Sequence, residues 1–466
     1  MKVLLCSSEV VPFAKTGGLA DVAGALPLAL EKEGVEVNIC MPKYGSIKEQ
    51  DYNIKKLDDT VYHCKIGKKI NVYFIANDNY FNRLGLYGEK TGDYPDNLDR
   101  FMFYAKETLN LLKKINFKPD VIHCNDWQTS LIPVYLKTQY SKDPFYKKIK
   151  TLLTVHNLAY QGLFSKDQYP KLGLDWSLFN IDGLEFYDKI NVLKGGIVYS
   201  DLVSTVSQAY AKEIQTKEFG CGLEGMLLKR KKFLSGIING LDYELWDPAL
   251  DKLVYKKFSP KNLEDKYINK LRLQGECGLA QNRNALLLGF VGRLAEQKGI
   301  DIISNNLDQM FKSNIQMVIL GTGDQKYHEI LDGLSKKYPG KFTLYLKFDN
   351  TIAHKIYAGC DVFLMPSRYE PCGLGQMISF KYATVPLAFK TGGLADTIVD
   401  LEKNKTKGNG LLFEKYEAKE FMKKFNKAVS LYKDKGAWQK ILKRIVKLDF
   451  SWEESAKKYI ALYKKC

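Results

Sequence analysis

The heptapeptide Lys15-Thr16-Gly17-Gly18-Leu19-Ala20-Asp21 recurs letter for letter as Lys390-Thr391-Gly392-Gly393-Leu394-Ala395-Asp396, near opposite ends of a 466-residue chain. Each copy follows an apolar stretch and opens an apolar-periodic segment, so each reads as a strand, a Gly-Gly turn and a helix N-terminus. Adjacent glycines let backbone N–H groups approach an oxygen, and the helix dipole favours negative charge there. Two such turns, one in each half, imply two similar domains and a phosphorylated ligand.

The length accommodates two large domains or up to four ordinary ones. With 45% hydrophobic and 26% charged residues the composition is that of a folded chain with an ample core. The opening Met1 to Cys6 is too short an apolar run for a signal peptide and reads as a first strand. No apolar stretch is long enough to cross a bilayer, and the nine cysteines contain no CxxC pair, so reduced thiols and a cytoplasmic location are expected. The net charge of +17 is carried mainly by lysines spread along the chain, with Lys229 to Lys232 an isolated cluster. That is the pattern of a solvated surface, and neither a nucleic-acid nor a membrane partner is expected.

Short Val/Ile/Leu-rich runs alternate with amphipathic stretches, the signature of a doubly wound parallel sheet. Strands are predicted at Val3 to Cys6, Val35 to Met41, Val72 to Ala76, Asp120 to Cys124, Thr151 to His156 and Leu202 to Val206. Helices are predicted at Leu19 to Glu33 and Leu98 to Leu112. The alternation stops near Asn239, gives way to a polar, weakly apolar stretch through Gln281, and restarts with strands at Ala285 to Val291, Ile315 to Leu320, Phe342 to Leu346, Asp361 to Met365 and Val385 to Phe389. The chain therefore reads as an α/β protein of two Rossmann-like domains, 1–238 and 239–449. A final amphipathic helix, Trp452 to Lys464, has Ser451 at its N-cap position.

Ligands of open α/β sheets sit at the carboxyl ends of strands, and the candidates lie there. Lys15 and Asp21 flank the first Gly17-Gly18 pair; Lys15 suits a phosphate, and Asp21 equally suits a helix cap. Arg293 and Lys298 lie in the loop after one predicted strand, a pair able to clamp a diphosphate and offset charge on it as it leaves. Glu370, followed by Cys372, Gly373 and Leu374, precedes a helix N-terminus, which offers an acceptor and several N–H donors to a sugar. His156-Asn157 ends an apolar strand, and His123 and Asp126 have a similar placement, with Asp126 the more exposed candidate. His63, His328 and His354 look incidental, and no metal-ligand spacing is present.

Together, the Lys15 to Val22, Thr154 to Gly162, Gly292 to Gly299, Glu370 to Leu374 and Lys390 to Asp396 motifs resemble, in order and over almost the whole chain, the bacterial glycogen synthases and plant starch synthases. The resemblance implies the GT-B fold: two Rossmann-like domains with a cleft between them and a C-terminal helix, here 450–466, that crosses back to the N-terminal domain. It implies transfer of glucose, with retention, from a nucleotide-glucose, usually ADP-glucose, to the nonreducing 4-OH of an α-1,4-glucan, with no metal and no cofactor. Arg293 and Lys298 match the leaving-diphosphate contacts, and Lys15, Gly17 and Gly18 the turn under the donor phosphates. His156, Asn157, Asp126 and Asn239 match one side of the glucose pocket; Glu370 and the backbone of Cys372, Gly373 and Leu374 match the other. Thr391, Gly392 and Gly393 would close the nucleotide side through backbone amides. Tyr87 and Gly92 to Asn97 resemble a mobile cleft loop. Ile378 stands where related GT-B families carry a second Glu, which leaves the ribose contacts unplaced. The rival readings are another retaining GT-B transferase, using UDP-glucose or a non-glucan acceptor, and a catalytically silent binder; the latter would have lost Arg293, Lys298 or Glu370.

Overall fold

Val3, Leu4, Leu5 and Cys6 have no exposed surface, because strand β1 (Lys2–Cys6) runs through a sheet covered on both faces. The computed structural model describes residues 1–89 and 92–466, which divide into two units, Met1–Gly240 with Trp452–Cys466 and Leu241–Ser451.

The first unit contains a nine-stranded sheet. Its strands are β1, β2 (Glu36–Pro42), β3 (Lys55–Lys56), β4 (Val61–Ile66), β5 (Ile70–Ile75), β6 (Val121–Asn125), β7 (Lys150–Val155), β8 (Leu202–Thr205) and β9 (Leu234–Gly236). Their spatial order is β9-β8-β7-β6-β1-β2-β5-β4-β3, parallel except at the β3-β4-β5 edge. The predicted strands are all present. The strands of this sheet that the sequence reading lacked lie at or next to its edges: in β4 only Val61 and Cys64 are buried, with His63 half-buried and Lys65 exposed, so it offers no continuous apolar run. Helices α1 (Gly18–Lys32) and α2 (Asn97–Lys114) bury apolar stripes and present charge outward.

The second unit has a six-stranded, all-parallel sheet. It comprises β10 (Leu286–Val291), β11 (Ile315–Leu320), β12 (Phe342–Tyr345), β13 (Val362–Met365), β14 (Val385–Phe389) and β15 (Leu411–Phe413), ordered β12-β11-β10-β13-β14-β15. The polar stretch before it contains helix α3 (Asp265–Glu276), whose polar look conceals a buried face of Lys266, Asn269, Lys270 and Gln274. Lys270 forms an ion pair with Asp361 at 2.6 Å. Lys266 instead donates to neutral groups, the Ala358 and Tyr382 carbonyls and Thr384 Oγ1, each at 2.9 Å. Burial pushes the Lys266 ammonium down to about 7. Among the helices that follow, two are short, α4 (Gly375–Lys381) and α5 (Gly392–Thr397), the latter opened by the second heptapeptide.

Helix α6 (Trp452–Tyr463) returns the chain to the first unit. Tyr463 bonds His123 Nδ1 at 2.8 Å, Ser455 donates to the Ile238 carbonyl, and Glu453 pairs with Lys32 on α1. His123 is thereby structural: its other nitrogen bonds Thr154 Oγ1, and burial drives its pKa down to about 3. His354 is not incidental either. It is fully buried, stacked on Trp246 with ring centroids 4.0 Å apart, and bonded to Asp251, which also accepts from Tyr382. Among the described residues no helix is long and apolar enough to cross a membrane.

Candidate functional site

Each sheet has a point where its strand order reverses between two parallel strands, and there the loops from the two adjacent strands meet at one carboxyl edge. In the first unit the switch lies between β1 and β6, which are in register at Cys6 and Cys124. The loop after β1 carries Glu9 and the first heptapeptide; the residue after β6 is Asp126.

Glu9 is almost fully buried. Its carboxylate accepts from the Thr16 and Gly17 amides at 2.5 and 3.1 Å, from Thr16 Oγ1 at 2.6 Å and from the Tyr87 hydroxyl at 2.7 Å. Part of the donor set of the first Gly-Gly turn is thus taken by an internal carboxylate. The turn's tip remains open: a β-carbon at Gly17 or Gly18 would meet no atom within 4 Å. Lys15 lies beside it, paired with Asp21 at 2.7 Å, both with solvent access. Tyr87 is held in place by Asn97 Nδ2 donating to its carbonyl.

Asp126 has φ +57° and ψ −175°, a backbone region occupied almost only by glycine. The strain turns its carboxylate back over the end of β7, where Oδ1 accepts the His156 amide at 2.7 Å. Burial pushes its pKa up to about 7, against the pull of the His156 and Asn157 amides, and the nearby Glu9 charge adds to the rise. Burial also drives His156 down to about 4, so the imidazole is neutral. Its Nε2 faces Asn125 Oδ1 at 2.9 Å; because the Asn125 amide nitrogen donates to the Cys6 carbonyl, Nε2 is assigned the proton. Asn157 uses its Oδ1 to accept the Ala159 amide, shaping its own turn. Asn239, only 7% exposed, has a buried Oδ1 with no partner among the described residues.

In the second unit the switch lies between β10 and β13. Lys298 comes from the loop after β10 and Glu370 from the loop after β13; they meet at 2.6 Å, with Ser367 Oγ also donating to Glu370 at 3.0 Å. An ammonium has three donors, so Lys298 can hold Glu370 and still reach an anion. Both line a pocket of about 100 Å³ with Gly373, Leu374 and Gly375. Arg293 stands outside it, exposed, held by Gln297, which is itself tied to the Tyr369 carbonyl. Cys372 is a buried packing residue, and Ile378 is a core side chain on α4.

The second heptapeptide packs against this same loop. Gly393 N–H donates to the Glu370 and Pro371 carbonyls at 3.0 and 3.2 Å. A β-carbon at Gly393 would sit 1.8 Å from the Cys372 carbonyl oxygen, and one at Gly392, whose φ is +42°, would sit 2.1 Å from that of Glu370. Thr391 is buried, and Lys390 pairs with Glu414 in solvent. Gly392 and Gly393 are therefore spacers that let two backbones touch. The sequence reading contained neither Glu9 nor this packing role. Among the described residues no group of three His, Cys, Asp or Glu side chains is arranged to hold a metal.

Residues 2–229 match the family model described as starch synthase catalytic domain, and residues 278–444 that of glycosyl transferases group 1. The chain is 46% identical over 477 residues to a glycogen synthase of Geotalea uraniireducens, covering 100% of this chain and 98% of that one. It is equally 46% identical, over 484 residues, to a glycogen synthase of Thermotoga petrophila, covering 100% and 99%. Among solved structures it is similar to the catalytic domain of starch synthase IV from Arabidopsis thaliana bound to ADP and acarbose, with TM-score 0.90 and 32% identity over 100% of this chain and 98% of that one. The sucrose-phosphate synthase of Thermosynechococcus elongatus, at 17% identity and TM-score 0.63, shares the fold.

Proposed function

The chain belongs to the glycogen and starch synthase family of glycosyltransferases, with its GT-B fold, and from that premise we propose that it transfers glucose from ADP-glucose, with retention, to the nonreducing 4-OH of an α-1,4-glucan. The observation that carries the chemistry is the meeting of Lys298 and Glu370 at the switch point of the second unit, with Arg293 on the same β10 loop. This supports residues 239–449 as the nucleotide-sugar domain, and 1–238 with 450–466 as the acceptor-side domain. The choice of ADP-glucose draws on the ADP bound by the Arabidopsis relative.

In this reading Arg293 and Lys298 neutralise the diphosphate as the glycosidic bond breaks, an interaction strongest in the transition state. Glu370 accepts from the glucose hydroxyls while the amides of Cys372, Gly373 and Leu374 donate to them. Lys15, Gly17 and Gly18 contact the donor phosphates, with Asp21 beside them, and Thr391, Gly392 and Gly393 back the nucleotide side. His156, with Asn157, Asp126 and Asn239, faces the sugar; a neutral imidazole stabilises positive charge at the anomeric centre without repelling it. Retention follows from front-face displacement, in which the leaving phosphate oxygen takes the proton of the attacking 4-OH.

The test is incubation with ADP-glucose or UDP-glucose and glycogen, following nucleotide release and chain length. The expected result is lengthening of glucan with nucleotide release, faster with ADP-glucose. Nucleotide release without lengthening would overturn the acceptor assignment, and preference for UDP-glucose the donor assignment.

A further inference from the structure

The loop Glu370 to Leu374 is held from behind at four consecutive carbonyls. Gly393 N–H takes those of Glu370 and Pro371, and Gln376 Nε2 takes those of Cys372 and Gly373, at 3.1 and 2.9 Å. The peptide units here are trans, and in a trans peptide the C=O and the following N–H point in opposite directions. A donor pulling the Cys372 carbonyl backward therefore turns the Gly373 N–H forward, and one pulling the Gly373 carbonyl backward turns the Leu374 N–H forward. Gly373 and Leu374 line the pocket that contains Glu370 and Lys298.

We infer that Gln376 is a positioning residue that aims the Gly373 and Leu374 N–H groups at the sugar of the donor. It is fully buried and so acts through the backbone. Its Oε1 is buried without a partner among the described residues, and a β-carbon at Gly373 would lie 2.6 Å from it. An apolar side chain of the same size would fill this space without an orphan oxygen, so what the amide adds here is its two donated bonds. Gly373 itself, at φ +71°, has the conformation that brings both carbonyls within reach of one side chain.

This inference rests on the reading of the pocket as the glucosyl site. Its test compares Gln376→Met, which keeps size and removes the donor, with Gln376→Glu, whose carboxylate faces two carbonyls. In the full-length chain, glucan elongation from ADP-glucose is measured by kcat and KM, and ADP binding by calorimetry. The expected result for Gln376→Met is a fall in kcat of about 30-fold, with ADP affinity within about threefold of the parent, because the amides act on the sugar as charge develops. Gln376→Glu falls further. A kcat for Gln376→Met within about twofold of the parent, or ADP affinity lost in proportion to rate, would overturn the inference; if Gln376→Glu does not fold, Gln376→Met decides. An unaltered chain that transfers no glucose contradicts the glucosyl reading itself, a result distinct from an active parent with an indifferent variant.

Discussion

The two heptapeptides are identical in sequence and opposite in use. In the first, the Gly17-Gly18 tip faces open space and the turn is fixed from within by Glu9, whose carboxylate binds the Thr16 and Gly17 amides. In the second, Gly392 and Gly393 are buried against the Glu370 to Cys372 backbone, and the Gly393 amide serves that loop. A Gly-Gly turn before a helix thus specifies a local shape and a set of donors. What lies within 4 Å decides whether the donors meet a ligand, a carboxylate of the same chain, or another loop.

The contrast can be broken experimentally, beginning where the effect should be greatest. Gly393→Ala places a methyl group against the Cys372 carbonyl and must displace the loop carrying Glu370; transfer should fall by more than about 100-fold, since a displacement of about 1 Å costs that much at a catalytic centre. Steady-state rates at saturating donor check it. Lys298→Ala removes charge stabilisation beside the same loop, and kcat at saturating donor should fall about 100-fold. Arg293→Ala should behave likewise.

Glu9→Gln leaves one acceptor oxygen for a group of four donors and should lower kcat/KM about 10-fold, as one or two hydrogen bonds to a charged group are lost. Activity equal to the parent would show that the first turn holds its shape without the carboxylate. Among the lysines, Lys15→Ala should weaken the donor KM several-fold, whereas Lys390→Ala removes only an exposed pair with Glu414 and should change activity by less than about twofold. Equal effects of the two would erase the functional asymmetry between the copies.

The smallest effect is one of pH. The Asp126 carboxyl is raised to about 7, so between the ordinary carboxylate range near 4 and pH 7 the folded chain binds more protons than the unfolded one. Asp126 by itself therefore removes stability as pH rises through that window, whereas His123 and His156, held neutral by burial, add stability as pH rises toward about 6.5. Asp126→Asn should remove the first contribution alone, so its thermal midpoint should gain on that of the parent as pH rises from 5 to 8.

How much of this was legible in sequence follows from the same contrast. Parallel strands such as Leu286–Val291 and Ile315–Leu320 are buried on both faces and announce themselves as apolar runs. Arg293, Lys298 and Glu370 could be found because strand ends are where loops gather. Glu9 carries no motif; the available signal was only a carboxylate sharing the loop between a first strand and a Gly-Gly turn. Gln376 looks like an ordinary helix residue, and its partners are set by the φ of Gly373. His354 looked incidental because its partners, Trp246 and Asp251, lie about a hundred residues away. What sequence leaves unread are contacts whose meaning depends on a chain segment arriving from elsewhere.

The most direct measurement of the difference between the copies is the thermal midpoint of Gly17→Ala beside that of Gly393→Ala. A methyl group meets nothing at Gly17 and a carbonyl oxygen at 1.8 Å at Gly393. The prediction is a midpoint within about 1 °C of the parent for Gly17→Ala and a fall of several degrees for Gly393→Ala, as overpacking of about 1–3 kcal/mol implies. Equal midpoints for the two variants would contradict the account.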